Sequence, residues 1–304
     1  MRIISLFPAA TEMVCALGAA SSLVGVSHDS DFPPELLPAG ITRVTRTSLD
    51  ESAAPGEIDR AVRVADALGE SLHVLDIEAI ATLDPDVIIT QGICDVCAIR
   101  EGDVRIVAES LREPAIVLAL SANTLDEMLN DIRRVGAVIE RSPVSEALVE
   151  RLETRLYKVH HRLVDAAVPR PRVAVLEWTD PIYNAGHWVP QMVRRAGGIE
   201  VLAKSGERSR QVSMEELVAA NADTIIFAPC GYDVGRAAAE GTMQAKKKEW
   251  AWLASHRTWA VDSGGLFSRP GPRLVDGVET LAGIFHPSVF LRPSRMHALE
   301  LDVT

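Results

Sequence analysis

The chain has 304 residues, 47% hydrophobic and 24% charged, which is the composition of a folded protein long enough for two α/β lobes that each bury a core. Lysines and arginines number 31 against 42 acids, so 31 − 42 = −11, and the only basic run is Lys246-Lys247-Lys248, read as a solvated loop or helix face. A nucleic-acid or anionic-membrane surface needs concentrated positive charge and is excluded.

The opening Ile3, Ile4, Leu6 and Phe7 begin a buried strand at once, with no basic head and apolar signal segment before them. A cytoplasmic location follows as the expectation, and periplasmic if a leader has been trimmed. No stretch approaches the roughly 20 apolar residues of a membrane span, so membrane insertion is not expected. Four cysteines, Cys15, Cys94, Cys97 and Cys230, are too few for a disulfide framework and fit a reducing compartment.

In chain order, Arg2–Phe7, Thr11–Leu17, Leu23–Val26, Ile77–Leu83, Val87–Thr90, Val104–Leu111 and Ala115–Leu120 alternate brief β-branched runs with helical patterns. Such runs, flanked by Pro, Gly or Asp, predict buried strands of a mostly parallel sheet with helical crossovers. Thr124–Ile139 reads as a helix with Thr124 as N-cap and Glu127 at the capping-box spacing. Ser142-Pro143 opens another, in which Leu148, Leu152, Leu156, Val159 and Leu163 form an apolar stripe opposite Glu150, Glu153, Arg155 and Arg162. It runs until Pro169 and Pro171, about 25 residues or roughly 37 Å. Either it is one more amphipathic core helix or it is a rigid strut between lobes.

After the prolines the rhythm restarts: strand Arg172–Trp178, helices Pro190–Ala196 and Met214–Ala220, strands Thr224–Ala228 and Trp259–Asp262, and a closing helix Leu274–Phe285. The predicted fold class is α/β, two Rossmann-like lobes with central, mostly parallel sheets joined by one long helix. Boundaries fall at 1–140, 141–170 and 171–304.

No Walker loop, Gly-x-Gly-x-x-Gly, Gly-x-Ser-x-Gly or His-Glu-x-x-His occurs, which disfavours the enzyme classes those signatures mark. His160 and His161 point about 100° apart on a helix and read as surface. Cys94-x-x-Cys97 follows the strand ending Thr90-Gln91-Gly92, where an open α/β sheet places its ligands. It fits a redox dithiol, half a metal site, or two small buried hydrophobes. Cys230 stands at the corresponding strand end of the second half, while Cys15 reads as core. Phe32, Trp178, Tyr183, Trp188, Tyr232 and Phe267 sit in loop-like segments, where large rings line pockets or pack between elements. Arg269 and Arg273 fit either an anion clamp or local salt bridges at the last helix.

The segments Ile4-Ser5-Leu6-Phe7-Pro8-Ala9-Ala10-Thr11-Glu12, Leu23-Val24-Gly25-Val26-Ser27 and Ser30-Asp31-Phe32-Pro33 resemble the first lobe of the vitamin B12 and ferric-siderophore binding proteins of ABC importers. Ala185-Gly186-His187-Trp188-Val189-Pro190, Phe267-Ser268-Arg269-Pro270-Gly271-Pro272-Arg273 and His286-Pro287 look like a signal-less cobalamin-binding subgroup. The resemblance covers nearly the whole chain. It implies a helical-backbone receptor without catalysis or a required cofactor, holding cobalamin or another metal chelate in the cleft between lobes. The ligand set it suggests is Pro8, Phe32, Gln91, Trp178, Tyr183, His187, Trp188, Tyr232, Phe267 and Arg269. It also implies an ABC permease as partner, docked through Glu78 and Glu215, although acids near helix starts are favoured without any partner. Two alternatives stand beside it: a cytosolic metal-handling or redox protein with Cys94, Cys97 and Cys230 as ligands, and a conventional periplasmic importer component whose signal has been removed.

Overall fold

The computed structural model describes residues 1–92 and 99–303; Cys94 and Cys97 lie outside the described residues. The chain divides into two compact units, the first of residues 1–122 and 126–151, the second of residues 123–125 and 152–304.

The first unit runs β1 (Ile3–Ser5), α1 (Pro8–Ala16), β2 (Leu23–Val26), β3 (Thr42–Arg43), β4 (Thr45–Thr47), α2 (Pro55–Leu68), β5 (His73–Leu75), α3 (Ile77–Leu83), β6 (Val87–Gln91), α4 (Glu101–Glu109), β7 (Ile116–Leu120) and α5 (Leu125–Val138). Among the described residues its main sheet has the order β3-β2-β1-β6-β7, with every pairing parallel. The central strands are β-branched and covered on both faces, so Ile3, Ile4, Val87, Ile88 and Ile89 are wholly buried. Each such side chain contributes about 1.5–3 kcal/mol of hydrophobic stabilisation. The expected strand Arg2–Phe7 is shorter because Pro8, with no N–H to give, starts α1.

α6 (Ser142–Ala166) is the long helix, 25 residues. Its Leu148, Leu152, Leu156 and Val159 are buried as the stripe requires, and His160 and His161 are exposed. Residues to Arg151 group with the first unit and those from Leu152 with the second. In the second unit Arg155 is tied to Asp276 and to Glu279 (2.6 Å), and the Arg162 guanidinium lies 4.4 Å from the centre of the Phe290 ring.

The second unit continues with β8 (Arg172–Thr179), β9 (Ile182–Asn184), α7 (Val189–Arg195), β10 (Ile199–Glu200), α8 (Met214–Ala219), β11 (Thr224–Phe227), α9 (Val234–Ala245), β12 (Arg257–Val261), α10 (Ser263–Leu266), α11 (Leu274–Phe285) and β13 (Ala298–Glu300). Its sheet has the order β10-β8-β11-β12-β13, with β9 folded back on β8; β10, β8, β11 and β12 are mutually parallel. Phe227, Leu176, Ala174 and Ile225 pack with Trp250 and Leu253 in the core beside it. Among the described residues no helix is long and apolar enough to cross a membrane. Lys246 and Lys248 are exposed beyond α9, as a solvated face requires.

Candidate functional site

In an open α/β sheet the strands end in loops at one edge, and that edge is where ligands gather. In the second unit this carboxyl edge is built from the ends of β8, β11 and β12 together with the segment that enters α7.

Glu177, near the end of β8, was not among the residues expected from sequence. Burial pushes its carboxyl up to about 7, opposed by hydrogen bonds from the Ser209 hydroxyl and the Gly186 N–H. The same N–H reaches Ser209 Oγ at 3.0 Å. Only glycine fits at 186: a Cβ there would stand 2.4 Å from Ser209 N and 2.6 Å from Glu207 O, both backbone atoms. Its sequence signal was a lone acid closing the apolar run Val173–Leu176.

The loops beyond the strands are knitted together. Cys230 N–H donates to Glu177 O at 3.1 Å, Gly231 N–H to Ser268 Oγ at 3.3 Å, and Ser263 Oγ to Ala228 O at 2.9 Å. Trp188 Nε1 donates to Phe267 O at 2.6 Å. Trp188, Tyr232 and Phe267, expected as pocket rings, are buried, so as placed they pack beneath the edge. Trp178 and Tyr183 are half-buried, and Trp178 meets Tyr232 edge to face at 5.7 Å between centres.

His187 has φ +53°, and its Nδ1 lies 2.9 Å from Asn123 Oδ1. Burial, and then Arg208, lower its proton affinity, so the ring is neutral near pH 7. Arg269 and Arg273 are half-buried between α10 and α11. Cys230 is exposed and outside any disulfide. Among the described residues no group of three or more His, Cys, Asp or Glu side chains is placed to hold a metal ion; Cys94 and Cys97, named with Cys230 as ligands in one alternative, lie outside them.

The first unit has its own carboxyl edge. Pro8 is the buried first residue of α1 after β1, Gln91 ends the adjacent β6, and Phe32, in the loop after β2, is 37% exposed. A buried hydroxyl chain holds that loop: Ser5, Thr11, Ser30 and Ser27 follow one another at 2.8, 2.8 and 2.7 Å.

Glu78 and Glu215 each lie exposed in the first turn of a helix, α3 capped by Asp76 and α8 capped by Ser213. Neither carboxylate forms an ion pair with the described residues. Glu215 is held below the usual carboxylate range by hydrogen bonds with its own backbone and with Ser213.

Residues 3–261 match a family model described as periplasmic binding protein. The chain is 26% identical to a vitamin B12-binding protein of Vibrio cholerae over 280 residues, 91% of this chain and 86% of that one. It is 23% identical to an uncharacterized ABC transporter substrate-binding lipoprotein of Bacillus subtilis, over 95% of this chain and 81% of that one. Among solved structures it is similar to a periplasmic heme binding protein of Pseudomonas aeruginosa (TM-score 0.70, 20% identity, 99% and 98% of the two chains). It is likewise similar to the periplasmic vitamin B12 binding protein of Vibrio cholerae (TM-score 0.65, 24% identity, 94% and 97%). The expectation of a cytoplasmic location is corrected by these relatives: the solved ones are periplasmic and the Bacillus subtilis one is a lipoprotein. That expectation rested on the first residues of the sequence, which decide nothing about what precedes them.

Proposed function

The chain belongs to the periplasmic binding protein family, a premise from which we propose that it is the receptor of an ABC importer for a corrinoid or similarly amide-fringed metal chelate. The observation that carries this reading is the 280-residue match to a vitamin B12-binding protein, which spans both units. The edge of the second unit supports it in chemistry. Half-buried Trp178 and Tyr183 are ring side chains of the kind that pack on a flat macrocycle, and a Glu177 carboxyl poised near pH 7 is able both to donate to an amide oxygen and to accept from an amide N–H. His187 offers a neutral imidazole, the form that binds a metal centre.

Titration of the purified chain with aquocobalamin, followed by visible spectra and desalting, tests this directly. Retained colour with a shifted spectrum is expected; no shift and no retention of cobalamin would reject it, and hemin serves as the parallel arm. The exposed acids give the second readout. Glu78→Arg and Glu215→Arg should abolish permease-stimulated uptake in a reconstituted importer while leaving ligand affinity unchanged. Unimpaired uptake in both would remove the docking role.

A further inference from the structure

The second unit carries a cavity of about 470 Å³ at the other edge of its sheet, where the strands begin. Arg170 lies just before β8 and Gly197 just before β10, so this cavity is a sheet's length from Glu177. Leu163, Val164 and Val168 form its apolar wall, and Val164 is 60% exposed to it and to solvent. Arg170, Arg194 and Arg195 supply the charge, and His160 and His286 complete the lining. Among the described residues no aspartate or glutamate lines the cavity.

The charge exceeds what the helices ask for. α6, α7 and α11 all end here, each presenting about half a negative charge, or roughly −1.5 in sum. The guanidinium groups of Arg170 and Arg194, which form no ion pair with the described residues, outweigh that by about half a charge even without Arg195, in a chain whose net charge is −11. Just past the end of α7, Arg170 donates to Gly198 O at 2.6 Å, and His286 Nε2 lies 3.3 Å from Gly197 O. Arg194, exposed, makes no side-chain hydrogen bond or ion pair with the described residues. Burial first, and then Arg257, lowers the proton affinity of His286, which leaves it a neutral hydrogen-bonding group at pH 7.

We propose that this cavity is a second ligand site, for an amphiphilic anion whose carboxylate or phosphate meets the arginines and whose apolar body lies on Leu163, Val164 and Val168. The volume is in the range of small-molecule sites, and an apolar wall with a few convergent polar groups is their usual make-up. Guanidinium groups suit either headgroup, because their paired donors match planar carboxylate and phosphate oxygens alike.

Calorimetry on the full chain at pH 7 and low salt, with octanoate, octyl phosphate, inorganic phosphate and octanol, tests it. At least one of octanoate and octyl phosphate is expected to bind about tenfold or more tightly than inorganic phosphate and octanol. The stronger of the two identifies the headgroup. Arg194→Glu and Val164→Glu, both at exposed positions and checked for unchanged circular dichroism, should each weaken that binding about tenfold or more. Added salt should weaken it as well. No binding of either amphiphile below about 5 mM, equal affinity for inorganic phosphate or octanol, or variants that bind like the parent would each overturn the proposal. Because no probe is a metal chelate, the outcome is independent of the function proposed above.

Discussion

Glu177→Gln should stabilise the second unit at pH 8 and leave it nearly unchanged at pH 4.5. The Glu177 carboxyl rises from 4.5 to about 7 on folding, so the folded chain holds that proton more tightly than the unfolded chain does. Ionising it is therefore a cost to stability, absent below about pH 4.5, growing between there and about 7, and constant above. At about 1.4 kcal/mol for each tenfold change in proton affinity, the rise corresponds to roughly 3 kcal/mol. Glutamine keeps an acceptor for Ser209 and Gly186 but not two equivalent oxygens, which reduces the expected gain to about 1–2 kcal/mol. Trp178, Trp188, Trp250, Trp252 and Trp259 all belong to the second unit, so tryptophan fluorescence in urea reports its unfolding alone. A gain of the same size at pH 4.5 and pH 8 would refute the reasoning, as would a carbon-13 carboxyl titration of Glu177 with its midpoint near 4.5.

Gly186→Ala pushes a methyl into the backbone of Glu207 and Ser209, so a loss of about 1–3 kcal/mol and a lowered melting temperature are expected, with ligand affinity falling alongside. Arg155→Ala frees Asp276 and Glu279 from α6; the groups are 34–43% exposed, so water screens them and calorimetry should show only about 1 kcal/mol. Burial, with Glu12 and Glu35, pushes the Cys15 thiol up to about 11, whereas Cys230 is exposed. Iodoacetamide on the native chain, mapped by mass spectrometry, should therefore modify Cys230 and spare Cys15.

The parallel strands were legible because their runs, around Ile3, Leu23, Val87, Ala115, Val173, Thr224 and Trp259, contain almost nothing polar, and all but the edge strand β7 are largely buried. Strands of two or three residues, β3, β4, β5, β9, β10 and β13, carry no periodicity to read. The helix α2 was missed although its signals stand in the chain: Pro55 at its first turn, Glu57 reaching back to the Ala54 N–H at 3.3 Å, and Gly69 left-handed at its end. Its outer face is so polar that the apolar stripe of Ile58 and Ala65 is thin. At the candidate site, ring positions were legible but not their depth. Trp188, Tyr232 and Phe267 sit in irregular segments and yet are buried, because those segments fold onto one another through backbone and hydroxyl hydrogen bonds. Glu177 could not be singled out, since what perturbs it is burial at the strand end, which a lone acid after the run Val173–Leu176 does not announce.

The topology of the second unit also sets its two edges apart electrostatically. β8, β10, β11 and β12 run parallel, so the intervening helices return the other way. They begin at the carboxyl edge and end at the amino edge. Free N–H groups at helix starts would make the carboxyl edge attractive to anions. At the starts of α9 and α10 a donor is taken: Asp233 accepts from Arg236 N–H at 2.8 Å and Asp262 from Gly265 N–H at 3.1 Å. At the amino edge the helix ends call for cations, and three arginines more than answer them. The starts of α9 and α10 thus offer an anion less than uncapped helices would, while at the other edge the arginines exceed the dipoles they face.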